Sequence, residues 1–367
     1  MKLRMTTTTF HSAGRWHCCI NIRRAICAIV SVWLGLMLCG PVPDAVALPT
    51  PDEILQELQI SASDQQSIRK GNIVTWTGSE GSDRELALGM AVLVKTKAEN
   101  ILQLFREAGA FNTMESVFTA HGRIAGDGAP DDFAGVRLEP NGENEARRYI
   151  EAEPGDVLNL DAKEIAAFGA LKSAGKDRAV PVQKVEALIR EQLLARYQAY
   201  HKKGLAGITP YERKRGHHIL ANNELALATK QAKLVAKYLP SVYEAVLNYP
   251  AAKIKDGEEI EDQYYWLNIE LSGRPIYVLS HRMLFRIGEA YVVVDRHFYA
   301  SHDYNSLQQG MVVLPTKDGM LVTYLRRVST DQVAGFGSGA KRTVARALMA
   351  PYIKGLLEAL RAKAEKR

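Results

Sequence analysis

The chain has 367 residues, of which 47% are hydrophobic and 24% charged, the balance of a soluble globular protein with material for one large core or two small ones. Its formal net charge is +6, but Lys2, Arg4, Arg15, Arg23 and Arg24 against Asp44 place +4 of that in the first 47 residues, leaving +2 for the rest. A body so near neutrality lacks the clustered basic surface that nucleic-acid binding requires, and because all four cysteines precede residue 40, thiol nucleophiles, thiolate metal sites and disulfides are excluded from it as well.

The first segment has three parts. Arg23 and Arg24 close a long basic stretch, Ala25 to Cys39 is an apolar run of 15 residues, and Ala45-Val46-Ala47 is a small-x-small cleavage signal. The run is shorter than the roughly 20 residues of a spanning helix. These features predict a signal peptide over residues 1–47, an exported (periplasmic or secreted) protein, and a mature chain starting at Leu48. An uncleaved anchor is the alternative. A lipoprotein reading is disfavoured, because Leu36-Met37-Leu38-Cys39 has a bulky Leu where a lipobox wants Gly or Ala.

Along the rest of the chain, Asp52 can cap a helix through Leu58, and Ile73 to Thr77 reads as a short strand. Glu85 to Thr96 is the first strong strand. Ala98 to Ala108 carries Ile101, Leu102 and Phe105 at helical spacing. Residues 110 to 155 are rich in Gly, Pro and Asp, with short strands expected at Val117 to Ile124 and Ala134 to Leu138. Helices are expected at Asp161 to Leu171, Val182 to His201, Asn222 to Tyr238 and Leu239 to Leu247, the last two split by Pro240. Five strands follow: Tyr264 to Leu271, Pro275 to Ile287, Ala290 to Ser301, Gln308 to Leu314 and Met320 to Ser329. Short turns at Ser272-Gly273, Gly288-Glu289 and Asp318-Gly319 make them antiparallel. A helix from Ala340 to Lys366, interrupted at Pro351, ends the chain. It carries Val344, Leu348, Ile353, Leu356, Leu357 and Leu360 on one face.

The segments ELALGMAVLVKTKAENILQLFREAG (85–109) and Tyr264 to the end, taken in this order, resemble the START-like or SRPBCC helix-grip superfamily. The resemblance implies an α+β fold in which an antiparallel sheet wraps a long C-terminal helix and leaves a cavity between them. Residues 48–160 then supply the opening strands and helix, 161–250 a helical insertion, and 260–367 the sheet and final helix. A separate helical domain inserted into an α+β one is the other reading.

Strand alternation groups the side chains. Tyr277, Leu279, His281, Met283, Phe285 and Ile287 share one face, as do Val292, Val294, Arg296, Phe298 and Ala300, and as do Tyr265, Leu267, Ile269 and Leu271. His281 and Arg296 are polar exceptions on apolar stripes, so inward-facing they need partners. With Tyr265 and Phe298 they form the candidate ligand-binding set; two satisfied core residues are the alternative. Asp295, His297, Tyr299 and Ser301, with His302 and Asp303 beyond, could supply acid and base groups or metal ligands, and a solvated sheet face explains them equally. Gly335 to Lys341 lacks the Walker ending and reads as a connection that lets the last helix pack. Arg213, Lys214 and Arg215, in the run ERKRGHH (212–218), are solvated surface or a contact for anionic lipid. No cofactor, metal or nucleic acid is called for. The expected partner is a hydrophobic small molecule or lipid. An envelope interaction protein without ligand and a START-like enzyme are the competing readings.

Overall fold

The first helix, α1 (Pro51–Glu57), is capped by Thr50 rather than Asp52. The Glu53 amide donates to the Thr50 hydroxyl and the Thr50 amide donates to the Glu53 carboxylate, which satisfies two otherwise free donors. The computed structural model describes residues 48–107, 118–172, 180–252, 254–255, 257–271 and 273–367. The expected leader with its cysteines lies outside these residues, as do Ala108, Val117 and Ser272 at the edges of three expected elements. Leu48–Arg367 forms one unit by itself.

α2 (Ala62–Arg69), capped by Ser61, has no counterpart among the expected elements; it buries only Ile68, too little for a periodic signal. Next come β1 (Val74–Thr77), β2 (Glu85–Val94), α3 (Ala98–Arg106) and β3 (Phe118–Ile124). No strand forms over Ala134 to Leu138. Val136 and Leu138 are buried in irregular chain, apolar because they pack under the next helices. α4 (Gly142–Ile150) is also beyond what periodicity shows, since it is rich in charged residues and its only large buried apolar side chain is Tyr149. α5 (Ala162–Gly169) and α6 (Val182–Lys203) follow as expected. The basic run sits on a short hairpin, β4 (Tyr211–Glu212) and β5 (His218–Ile219). The expected helix Asn222 to Tyr238 is two, α7 (Ala221–Lys230) and α8 (Lys233–Tyr238), before α9 (Pro240–Leu247). Then come β6 (Glu259–Leu271), β7 (Arg274–Ile287), β8 (Ala290–Ala300), β9 (Ser306–Thr316), β10 (Gly319–Ser329) and α10 (Ser338–Ala364), which runs through Pro351 without a break.

The main sheet is antiparallel throughout, in the order β1-β2-β10-β9-β8-β7-β6-β3. One face holds Met90, Val92, Met311, Val313 and Val322, packed against Phe105 of α3 and Ile353, Leu356, Leu357 and Leu360 of α10. Each of those α10 side chains contributes on the order of 1.5–3 kcal/mol by leaving water. The fold is therefore α+β, an antiparallel sheet wrapped on a long C-terminal helix. Only the C-terminal half of that helix grips: Val344 and Leu348 are 60% and 76% exposed, against the expectation of one continuous apolar face.

The other face is covered too. Leu55, Ile60 and Ile68 of the α1–α2 segment pack on Ala91, Leu93 and Leu321. Leu239, Val242 and Val246 of the α9 region pack on Met283, Phe285, Val292 and Val294. Ile189, Leu193, Tyr197 and Tyr200 of α6 pack on Trp266, Tyr277 and Leu279. Burial on both faces explains why β2 reads as an apolar run after Glu85, with all ten residues buried.

Two local features set side-chain direction. The β7–β8 register shifts beside Leu279, so that Leu279 faces Tyr299 while Ser280 faces His297, and Phe298 is the extra residue. The alternation expected along β8 therefore holds to Phe298 and fails beyond it. Tyr299 joins Phe298 under α6, and Ala300 moves to the opposite face. On β2, Gly89 lets the Trp76 ring lie on the backbone; a Cβ there would be 2.1 Å from Trp76 Cε2. Gly89→Ala is expected to cost about 1–3 kcal/mol in chemical denaturation, with a shift in tryptophan emission as Trp76 is pushed aside. Unchanged stability and emission would show that Trp76 is not held there.

Candidate functional site

Over the middle of the sheet, α1, the β1–β2 corner and α7–α9 do not close on one another. They leave a cavity of about 640 Å³. Val292, Val294, Val312 and Leu325 form its floor, and Ile54, Leu58, Trp76, Leu234, Val235 and Leu239 its apolar walls. Small residues make the room: Gly310 below, Ala228 and Ala232 above. One end is polar, with Thr229, Gln308 and Arg327. Near the exposed residues Glu57 and Lys233, a bridge crosses from α1 to α8: Lys237 pairs with the Glu57 carboxylate, and the Tyr238 hydroxyl donates to it at 3.0 Å. Such an exposed pair holds weakly and can open.

The cavity is on the opposite side of the sheet from the one the family resemblance implies. Beneath α10 the space is filled, because Leu, Met and Val from sheet and helices interdigitate there. The helices between β3 and β6 build the roof instead.

The expected ligand-binding residues divide between the two faces. His281, Arg296 and Phe298 lie under α6, away from α10. His281 is fully buried between Asp262 (2.8 Å from Nε2) and the Tyr200 hydroxyl (2.9 Å from Nδ1), with Tyr264 stacked on it. Burial lowers its pKa, opposed by Asp262. Phe298 stacks on Tyr200 at 3.9 Å. Arg296 donates to Gln308, Thr229, the Val246 carbonyl and Tyr200. Tyr200 of α6 thus occupies the space a ligand would need beside His281 and Phe298. Tyr265 is on the other face, donating to Gln263 at 2.9 Å with the Arg282 guanidinium over its ring. None of the four lines the cavity, but three partners of Arg296 do: Thr229, Val246 and Gln308.

On the α10 face, Asp295 accepts from Ser280 and pairs with Arg282 at 2.9 Å, both members buried. Burial alone would raise the Asp295 carboxyl. Arg282, with His297 and the Ser280 hydrogen bond, holds it below its ordinary value. His297 meets the Tyr304 hydroxyl at 2.8 Å, and burial pushes it down to about 4 against the pull of Asp295. Asp295, His297 and Tyr299 do not meet, since the bulge sends Tyr299 to the other face. His302 contacts Asp303 and the Pro275 carbonyl. Among the described residues, no three His, Cys, Asp or Glu side chains converge on a metal site. Arg213 turns inward, to Asp331, Asn159, Asn305 and the Gly155 carbonyl, which leaves Lys214 and Arg215 exposed on the hairpin.

The His297 shift has a measurable sign. Its folded pKa is below the unfolded value of about 6.5, so its contribution is intact above about 6.5 and is lost as pH falls toward 4. Urea melts at pH 7, 6 and 5 should show declining stability in the wild type. His297→Gln should flatten that decline in part, because His281 is shifted in the same direction. An unchanged pH slope in the variant would refute the assignment.

Sequence reading alone misses the cavity residues Trp76, Gln308, Gly310 and Arg327. Two signals were present. Gln308-Gln309-Gly310 interrupts an apolar strand, and adjacent Arg326-Arg327 in a strand must send one guanidinium to each face.

The strand order and the gripping helix define the class: an α+β fold in which one antiparallel sheet is wrapped on a long C-terminal helix. Solved structures similar to this chain include the Zhui aromatase/cyclase from Streptomyces sp. R1128, with 17% identity, 37% of this chain and 87% of that one covered, and a TM-score of 0.24. The di-domain ARO/CYC StfQ of the steffimycin biosynthetic pathway is 16% identical over 35% of this chain, at a TM-score of 0.25; the match spans 46% of StfQ. Human STARD10 is 11% identical, with 87% of this chain and 82% of that one covered and a TM-score of 0.32. No protein-family profile matches the chain, and no curated protein matches it in sequence.

Proposed function

We propose that the protein binds an apolar or amphipathic, lipid-like molecule in the cavity between the sheet and α7–α9, and that it does so outside the cytoplasm after loss of residues 1–47. The cavity carries the first part. Its volume falls in the range of small-molecule sites, and it has the apolar lining and few convergent polar groups typical of them. The basic stretch, apolar run and small-x-small signal support export. Lys214 and Arg215 support peripheral contact with anionic lipid; Arg213, turned inward, does not.

Thermal melts of delipidated protein against a panel of envelope lipids and a hydrophobic dye test the binding. A true ligand at 100 times its Kd should add about 2.7 kcal/mol and raise Tm accordingly. Emission from Trp76, a wall residue, should change with occupancy. No Tm shift and no dye uptake across the panel would overturn the reading. Fractionation with N-terminal sequencing tests export, with Leu48 as the expected first residue.

A further inference from the structure

We propose that the occupant is an amphiphile with one chain and a compact anionic head group, a carboxylate above all, seated at the Arg327 end of the cavity. This rests on the cavity being a ligand site and adds the charge of the ligand to it.

Four observations support it. Arg327 lines the polar end and is buried. Its Nη1 donates to the Ser79 carbonyl at 2.7 Å and to Glu85 at 3.1 Å, but its Nε is a buried donor with no partner. An unmet buried guanidinium donor is costly, and since this one is closed to solvent, a head group at this end would reach it only by turning the Arg327 side chain toward the cavity.

Arg296 stands directly behind the same end. It is fully buried, and all its acceptors are neutral: Gln308 at 2.9–3.0 Å, the Val246 carbonyl at 2.9 Å, Tyr200 and Thr229. A buried cation without a counter-charge leaves a positive field in a poorly screened place. Gln308 and Thr229 stand between it and the cavity, so they can relay that field to a head group.

Of the carboxylates nearby, one cancels the Arg327 charge and none pairs directly with Arg296. Glu85 is committed to Arg327. Glu224, hydrogen-bonded to Asn305 and Ser306 in the adjoining cleft, is pushed by burial toward its neutral form. Glu57 and Lys237 neutralise each other near the opening. Arg327 is thus matched by Glu85, while Arg296 has no carboxylate among its direct partners.

The rest of the lining is predominantly apolar, and about 640 Å³ is room for a single-chain amphiphile. The head would sit at Arg327 and Gln308, with the tail along Val292, Val294, Val312 and Leu325.

The test uses three ligands of equal chain length on the purified protein: dodecanoate, dodecanol and dodecylammonium, each below its micelle concentration, read by dye displacement. Dodecanoate should bind at least about tenfold tighter than dodecanol, the scale of one charge-assisted hydrogen bond, and dodecylammonium weakest. In the double variant Arg327→Gln with Glu85→Gln, which leaves no orphaned charge, the preference for dodecanoate should fall toward parity with dodecanol. Equal binding of dodecanoate and dodecanol by the wild type, or tightest binding of dodecylammonium, overturns the charge assignment and leaves the cavity reading standing. Failure of all three to bind overturns both. If the double variant does not fold, the wild-type order decides alone.

Discussion

Arg282→Met is expected to destabilise the protein by about 3–5 kcal/mol at pH 7, because it leaves a buried carboxylate without its counter-ion. Arg282 and Asp295 face each other across β7 and β8, both almost wholly buried, and the guanidinium also donates to the Phe105 carbonyl at 3.3 Å. Met fills similar volume, so the loss is electrostatic rather than a void. The double variant Arg282→Met with Asp295→Asn should recover most of it, since Asn removes the charge and can still accept from Ser280.

The pH dependence follows from the same pair. In the wild type the folded Asp295 pKa is below the unfolded value of about 3.9, so its stabilisation is complete above 3.9 and is lost as pH falls through the folded pKa. In Arg282→Met the largest opposition to burial is gone, with only His297 and the Ser280 hydrogen bond left against it, so that pKa rises. The deficit should therefore be largest near neutrality and narrow as pH falls toward about 4. Urea denaturation of wild type, single and double variants checks this. Equal losses in the single and double variants would show that the pair is not coupled.

Gly310→Leu is expected to raise stability by about 0.5–1 kcal/mol and to weaken ligand binding by at least about tenfold. Gly310 lies mid-strand on β9, opposite Val294 and Leu325, on the cavity floor. A Cβ built there meets nothing within 4 Å. A strand glycine without a positive φ normally weakens its sheet, so Leu should help the empty protein while occupying the ligand's space. The opposed signs make the test sharp. Chemical denaturation reads the first effect and dye or lipid titration the second. A variant that binds ligand as tightly as the wild type would remove the cavity from the proposal. The contrast with Gly89, where Trp76 rests on the backbone, separates a glycine kept for packing from one that leaves space.

Much of the architecture was legible along the chain, and the reasons are local. Turn residues at Gly288-Glu289 and Asp318-Gly319 fix hairpins, so β7 to β10 could be read as antiparallel within a few residues. Asp161 caps α5 as expected, because an Asp three residues before Glu164 offers the reciprocal cap. The α4 helix and α2 escaped because they bury few apolar residues, and the periodicity of a helix is visible only through the face it buries.

The candidate site was far less legible. His281 and Arg296 stood out as polar positions on apolar stripes, which correctly marks burial but not the partner. Tyr200 is 81 residues from His281, and Val246 is 50 from Arg296. Nothing in either stripe says whether a helix of the same chain or a ligand fills the opposing space. The β8 bulge at Phe298 added a second failure, since one extra residue exchanges the faces of everything after it.

By itself the sequence determined the element types, the antiparallel run, the closing amphipathic helix and the near-neutral, cysteine-free body after residue 47, because periodicity, turn chemistry and composition are properties of neighbouring residues. Only the tertiary structure decided which sheet face each helix covers. Both faces of the sheet are apolar enough to accept a helix, so the pattern allows the cavity on either side. Close packing beneath α10 and the small residues Gly310, Ala228 and Ala232 beneath α7–α9 put it on the second.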